Sequence, residues 1–130
     1  MLFRSGAQCL GGGRQALAHT GGCYVEPTLF DQVTPGMTIE QEEIFGPVLS
    51  VIRFKDEAEA IRIANGTPYG LQASVWSDSL DRAHRVARSL RAGTVHVNQY
   101  DEDDITVPFG GYKQSGNGRD KSLQIGRAHV

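Results

Sequence analysis

The sequence predicts an α/β fold, a partial parallel sheet with crossover helices. Three observations lead there. Apolar, β-branched runs at 48–54 and 94–98 have the character of strands buried on both faces. The stretches between strand candidates carry helix start signals and apolar spacing of three and four. Strand, helix, strand, helix, strand is the order of right-handed crossovers over a parallel sheet.

Taken in order, residues 24–30 read as a short extended piece, and Pro35-Gly36 marks a turn. Residues 48–54 run Val-Leu-Ser-Val-Ile-Arg-Phe and form the first buried strand. Asp56 is placed as the N-cap of a helix, with Glu59 three residues on as in a capping box. Ala58, Ile61 and Ala64 give that helix its apolar stripe, and Asn65-Gly66-Thr67-Pro68 ends it. Residues 72–76 are the second strand. Asp78 is expected to cap a second helix over about 79–92, with Leu80, Ala83, Ala87 and Leu90 on one face and Gly93 as its C′ residue. Residues 94–98, Thr-Val-His-Val-Asn, are the third strand. From Gln99 onward the chain is polar and glycine-rich, outside the carboxyl end of that strand, where open α/β sheets bind ligands.

With 130 residues, the chain can form one small domain or part of a larger one. A net charge of −2 gives no reason to expect nucleic acid or an anionic membrane as partner. No apolar run is long enough to span a bilayer. Two cysteines, Cys9 and Cys23, make no disulfide framework, so a cytoplasmic location is expected. His19, His84, His96 and His129 lack ligand spacing, so no metal site is expected. His84 and His96 read as surface or packing residues.

The most informative stretch is Glu42-Glu43-Ile44-Phe45-Gly46-Pro47. On an extended segment alternate side chains point the same way, so Glu43 and Phe45 would face one ligand while Ile44 turns inward. A carboxylate can accept hydrogen bonds from two adjacent hydroxyls, such as those of a ribose. A phenyl ring offers an apolar face to a planar heterocycle. Alone, the pattern is weak, because a glutamate on a loop is usually just solvated.

Four further blocks carry a resemblance. Residues 21–30 read Gly-Gly-Cys-Tyr-Val-Glu-Pro-Thr-Leu-Phe, 65–71 Asn-Gly-Thr-Pro-Tyr-Gly-Leu, 92–98 Ala-Gly-Thr-Val-His-Val-Asn, and 108–116 Pro-Phe-Gly-Gly-Tyr-Lys-Gln-Ser-Gly. With the Glu42–Pro47 motif they resemble, in the right order, the later part of the catalytic domain of aldehyde dehydrogenases. The closing stretch is most similar to the γ-glutamyl-γ-aminobutyraldehyde dehydrogenases of bacterial putrescine degradation. The resemblance implies an enzyme that oxidises a small aldehyde to its acid with NAD or NADP, cytoplasmic and homo-oligomeric, with no nucleic acid or membrane as partner. A thiolate would attack the aldehyde, hydride would pass to the nicotinamide, and water would release the acid. The nucleophilic cysteine, the oxyanion-hole asparagine, the general-base glutamate and the dinucleotide-binding domain would all lie upstream, so the chain by itself should be inactive.

The same resemblance assigns residues. Glu43 matches the ribose-binding carboxylate and Phe45 the aromatic beside the nicotinamide. Phe109 matches a substrate-tunnel aromatic. Asp101-Glu102-Asp103-Asp104 falls where the family lines the aldehyde entrance, and Asp101 and Asp103 facing the tunnel would attract an ammonium-bearing substrate; a solvated acidic loop is the plain alternative. Asp120 falls where many relatives carry a glutamate implicated in proton transfer, one methylene longer, and a surface role beside Arg119 is the alternative. Lys113 and Arg119 could bind anions. Cys9 follows Gly6-Ala7-Gln8, superficially like the setting of the family nucleophile, but lies much too close in sequence to Glu43 for that role.

Residues 6–124 are expected to be the family segment. Residues 1–5 and 125–130 are expected to be non-native ends, since 125–130, Ile-Gly-Arg-Ala-His-Val, resembles a translated sequencing adapter. Three strands without the rest of their sheet should expose apolar surface and lower solubility. Two other readings stand beside the main one: a freestanding α/β binding module without catalysis, and a related semialdehyde dehydrogenase.

Overall fold

A computed structural model describes residues 6–100 and 104–123. The chain divides into two compact units, Met1–Lys55 and Asp56–Val130.

The first unit is built on a three-stranded sheet of order β1-β4-β5: β1 is Gln8–Gly11, β4 Thr28–Asp31 and β5 Val48–Ser50. β1 runs antiparallel to β4, with a bulge between Cys9 and Gly11. β4 and β5 run parallel, pairing Thr28 with Val48 and Phe30 with Ser50. Between β1 and β4 lies a small antiparallel pair, β2 (Gln15–Ala16) and β3 (Tyr24–Val25). The expected extended piece at 24–30 is thus two strands. The break falls at Pro27, which cannot donate to a ladder. Pro35-Gly36 does form a turn, followed by a one-turn helix α1, Thr38–Gln41. Phe30, Val33 and Ile39 form the core, with Ile44, Val48 and Ile52 packed against it. The strand ends at Ser50, the first half of the expected 48–54, although the Val51 amide still donates to Phe30 and its carbonyl accepts from Val33. Further on, Arg53 bonds Asp31 at 2.8 Å through side chains.

In the second unit, helix α2 spans Glu57–Ala64, with the Asp56 side chain accepting from the Glu59 amide at 2.8 Å. The expected N-cap is therefore in place. Of its expected stripe, Ile61 is half-buried while Ala58 and Ala64 are exposed. Strands β6 (Tyr69–Gly70) and β7 (Gln72–Val75), helix α3 (Leu80–Ser89), strand β8 (Thr94–Val97) and strand β9 (Tyr112–Lys113) complete the unit. β7 and β8 pair in parallel through the α3 crossover, as the sequence predicts. β6 pairs antiparallel with β9. Parallel pairing is thus shared between two sheets, β4–β5 and β7–β8, rather than running through one.

Two helix signals resolve differently from expectation. Ser79, not Asp78, caps α3: its hydroxyl accepts from the Arg82 amide. A hydroxyl and a carboxylate are nearly equivalent caps, so adjacent candidates cannot be ranked by residue type. The helix ends at Ser89, with Leu90 already extended. Gly93 is accordingly no left-handed C′ residue, and it is not among the glycines with positive φ. What requires a glycine there is close approach: a Cβ on Gly93 would meet the Gly110 carbonyl oxygen at 1.6 Å. Ala83 is buried on α3, but Leu80 on the expected apolar face is exposed.

Candidate functional site

Glu43 and Phe45 sit in the loop that leaves α1 and enters β5. The loop is anchored at its far end by the Thr28 amide donating to the Pro47 carbonyl at 2.8 Å. Ile44 turns in against the Phe30 core, as expected. Regular alternation is not kept, however. Phe45 has φ of +51°, in the left-handed region, and 91% of its surface is exposed. A bulky non-glycine residue held there costs of order 1–3 kcal/mol. Glu43 is also exposed. The carboxylate and the ring are therefore both presented outward by a loop whose middle residue is tied to the core.

Next to this loop, Leu10, Pro27, Leu29, Pro47 and Leu49 line an open, mostly apolar groove of about 630 Å³. It begins at Gly46, the residue after Phe45, and follows the β4–β5 pair.

Phe109 and Asp120 lie in the second unit, and the fold brings them together. Each donates its amide to the other's carbonyl, at 2.8 Å from Phe109 and 2.6 Å from Asp120. This two-bond bridge closes the glycine-rich segment into a loop. The Asp120 carboxylate accepts from the Lys121 amide at 2.9 Å, and the Lys121 ammonium stands 5.3 Å from the Phe109 ring centroid. Asp101 and Asp103 lie outside the described residues. Asp104 next to them bonds the Thr106 amide and hydroxyl, each at 2.8 Å; the amide bond first, then the hydroxyl, holds its carboxyl below the usual aspartate range.

The two cations considered as anion binders are used inside the fold. Lys113 donates to the carbonyls of Asn65 and Thr67, each at 3.0 Å, and so caps the end of α2. Arg119 donates to the carbonyls of Gly111 and Gly118 at 2.8 Å and lies over the Tyr112 ring. The segment after β8 has a further organiser that sequence reasoning missed. Asn98, at φ +53°, clamps Ser77: its Oδ1 accepts from the Ser77 amide at 2.8 Å and its Nδ2 donates to the Ser77 carbonyl at 2.9 Å. Asparagine's tolerance of the left-handed region was the available signal. Ser74 donates to the Gln99 carbonyl at 2.6 Å, so the ends of β7 and β8 are tied twice.

His96 is buried and its Nδ1 lies 3.3 Å from the Gln99 side-chain Nε2, while His84 is exposed on α3. Cys9 and Cys23 are both exposed. Among the described residues, no three His, Cys, Asp or Glu side chains gather as a metal site would require, and no helix is long and apolar enough to cross a membrane.

Known proteins resemble this chain in sequence and in fold. The family model described as "Aldehyde dehydrogenase family" matches residues 3–129. The NADP/NAD-dependent aldehyde dehydrogenase PuuC of Escherichia coli is 59% identical over 99 residues, which are 76% of this chain and 20% of that protein. The structure of a cysteine-to-alanine mutant of the P. syringae indole-3-acetaldehyde dehydrogenase AldA, in complex with NAD+ and IAA, superposes with a TM-score of 0.94 at 61% identity, covering 98% of this chain and 26% of that one. The γ-glutamyl-γ-aminobutyraldehyde dehydrogenase of Burkholderia cenocepacia gives a TM-score of 0.88 at 62% identity, covering 92% of this chain and 24% of that one. The chain spans between a fifth and about a quarter of the length of these relatives.

Proposed function

The chain belongs to the aldehyde dehydrogenase family, and we propose that it forms the nicotinamide-side wall and part of the substrate tunnel of an enzyme oxidising an aldehyde to its carboxylic acid with NAD or NADP. The observation that carries this reading is Phe45: a large aromatic ring in a strained backbone conformation, 91% exposed, beside a residue packed in the core. A loop built only for stability would relax the strain and bury the ring. Presenting it outward makes sense when a planar ligand covers it.

The bound nicotinamide supplies the hydride acceptor. Glu43, two residues before the ring, accepts hydrogen bonds from the two ribose hydroxyls and so sets how far the nucleotide enters. Phe45 covers one face of the heterocycle and excludes water there. Phe109, held by its bridge to Asp120, lines the aldehyde tunnel, and Asp120 serves in moving the proton away from the reacting centre. Cys9 and Cys23 take no part as nucleophiles. The substrate is an aminoaldehyde such as γ-glutamyl-γ-aminobutyraldehyde, drawn by the carboxylates of Asp101 and Asp103, which places the enzyme in putrescine degradation. The 62% identity to the Burkholderia cenocepacia γ-glutamyl-γ-aminobutyraldehyde dehydrogenase supports that choice over the betaine aldehyde named for a relative 50% identical. The complete protein is a cytoplasmic homo-oligomer, and residues 6–124 contribute the later part of its catalytic domain.

The test uses the complete polypeptide containing this segment. Glu43→Gln weakens charge-assisted bonds to the ribose and is expected to raise KM for the nucleotide about tenfold, with the aldehyde KM little changed. An unchanged nucleotide KM would remove Glu43 from the site. Higher kcat/KM for hexanal than for aminoaldehydes would overturn the substrate assignment while leaving the family chemistry intact.

A further inference from the structure

Two Asn-Gly pairs occur in the chain, Asn65-Gly66 and Asn117-Gly118, and the fold treats them oppositely. In such a pair the glycine nitrogen can attack the preceding side-chain amide, because glycine adds no Cβ to obstruct the approach and rotates freely. Asn65 is locked. Its Nδ2 donates to the Ser89 carbonyl at 2.9 Å and its Oδ1 accepts from the Arg91 amide at 2.7 Å. The Gly66 nitrogen donates to the Ile63 carbonyl at 2.9 Å, so it is already committed, and a Cβ there would meet that same oxygen at 3.2 Å.

Asn117 is the reverse case. It is exposed, and among the described residues neither its side-chain amide nor the Gly118 nitrogen makes a hydrogen bond. A Cβ built on Gly118 would find nothing within 4 Å, so the space beside its Cα is open. Arg119 adds a chemical push. Its guanidinium lies 3.4 Å from the Asn117 carbonyl. That carbonyl belongs to the same peptide group as the Gly118 nitrogen, and a positive charge beside it stabilises the nitrogen once it has lost its proton.

We propose that Asn117 is a site of spontaneous deamidation and that the fold protects Asn65 from the same reaction. The deprotonated Gly118 nitrogen attacks Asn117 Cγ and a carbon–nitrogen bond forms. The bond to the side-chain nitrogen breaks, and that nitrogen leaves with the added proton as ammonia. Water then opens the five-membered imide at either carbonyl, giving aspartate or isoaspartate. No electrons change hands. The new carboxylate arises two residues from Arg119, where a negative charge can compete for the guanidinium that now holds the Gly111 and Gly118 carbonyls at 2.8 Å. The modification therefore loosens the loop that ends in the Phe109–Asp120 bridge. It depends on the geometry of this segment alone and stands whether or not the enzyme reading is correct.

Timed incubation of the full 130-residue chain, with peptide mapping by mass spectrometry and isoaspartate detection, tests it. In native buffer the acid form accumulates at 117 and not at 65, faster as pH rises. In concentrated urea both sites react at comparable rates. Asn117→Ser removes the modified peptide without moving Asn65. Equal modification of the two sites in native buffer, reaction at Asn65 ahead of Asn117, or no reaction at Asn117 over the time in which the urea sample is consumed would each overturn the proposal.

Discussion

Gly93→Ala is expected to lift the closing loop off the start of β8. A Cβ at this position would stand 1.6 Å from the Gly110 oxygen and 2.7 Å from its carbon, and ordinary contact begins near 3.4 Å. The Gly110 carbonyl must therefore retreat by about 1.8 Å, the difference between those separations. Both partners are backbone, so no side-chain rotation relieves the clash. Gly93 is itself pinned by its amide bond to the Gly70 carbonyl at 3.1 Å, and Gly110 follows Phe109 in the two-bond bridge to Asp120. Overpacking costs about 1–3 kcal/mol, and each bridge bond lost adds about 1 kcal/mol, so about 3 kcal/mol of local stability should go. At 1.36 kcal/mol per factor of ten, that is roughly a hundredfold in the opening equilibrium. Amide hydrogen exchange reads it directly, because Phe109 and Asp120 are both donors in the bridge. The matched control is Gly118→Ala, where a Cβ meets nothing within 4 Å and φ is not positive, and exchange should barely change. If exchange at Phe109 and Asp120 were the same in Gly93→Ala as in the parent, close approach would not be the reason for the glycine.

Acid should weaken the ion pairs that join elements within each unit. The Arg85 hydrogen bonds, chiefly, lower the Glu57 carboxyl from its ordinary 4.5, and the Arg53 bond does the same for Asp31 from 3.8. A lowered folded value means that the unfolded chain binds more protons in acid. The contribution is thus complete above the ordinary values and disappears as pH falls through the lower folded ones. Glu57→Gln should flatten the acid limb of stability against pH, and raised salt should shrink the effect because these groups are exposed. An acid limb unchanged in the variant would contradict the assignment. Lys113→Met removes two charge-assisted bonds at the end of α2 and should cost about 2 kcal/mol, read as faster exchange across β6–β9; unaltered protection there would show the ammonium to be idle. Phe54, Trp76, Leu80, Tyr100 and Ile105 are all exposed, so the chain should bind a hydrophobic dye and associate with rising concentration in sedimentation. A monomer that binds no dye would refute this.

The sequence by itself determined the fold class, the family and the points where side-chain chemistry acts locally. Asp56 could be read as a cap because a cap bonds an amide only three residues away, and β7-α3-β8 could be read because periodicity and crossover handedness are local or nearly so. Glu43 and Phe45 could be singled out as a candidate pair because several sequence blocks in the right order carry the family resemblance around them. Tertiary structure decided what depends on distant backbone. Gly93 looks like a helix terminator in sequence, but its constraint comes from Gly110, which only the folded chain brings near. Phe45 looked like one tooth of a regular alternation; its positive φ follows from tethers on both sides, Ile44 in the core and Pro47 on Thr28. Lys113 and Arg119 looked like free cations, and became anchors because carbonyls left open by helix and loop ends came within reach. A single residue type states what a group can bond; only the packed chain supplies the partner, because hydrogen bonds and steric exclusion act over a few ångströms irrespective of separation in sequence.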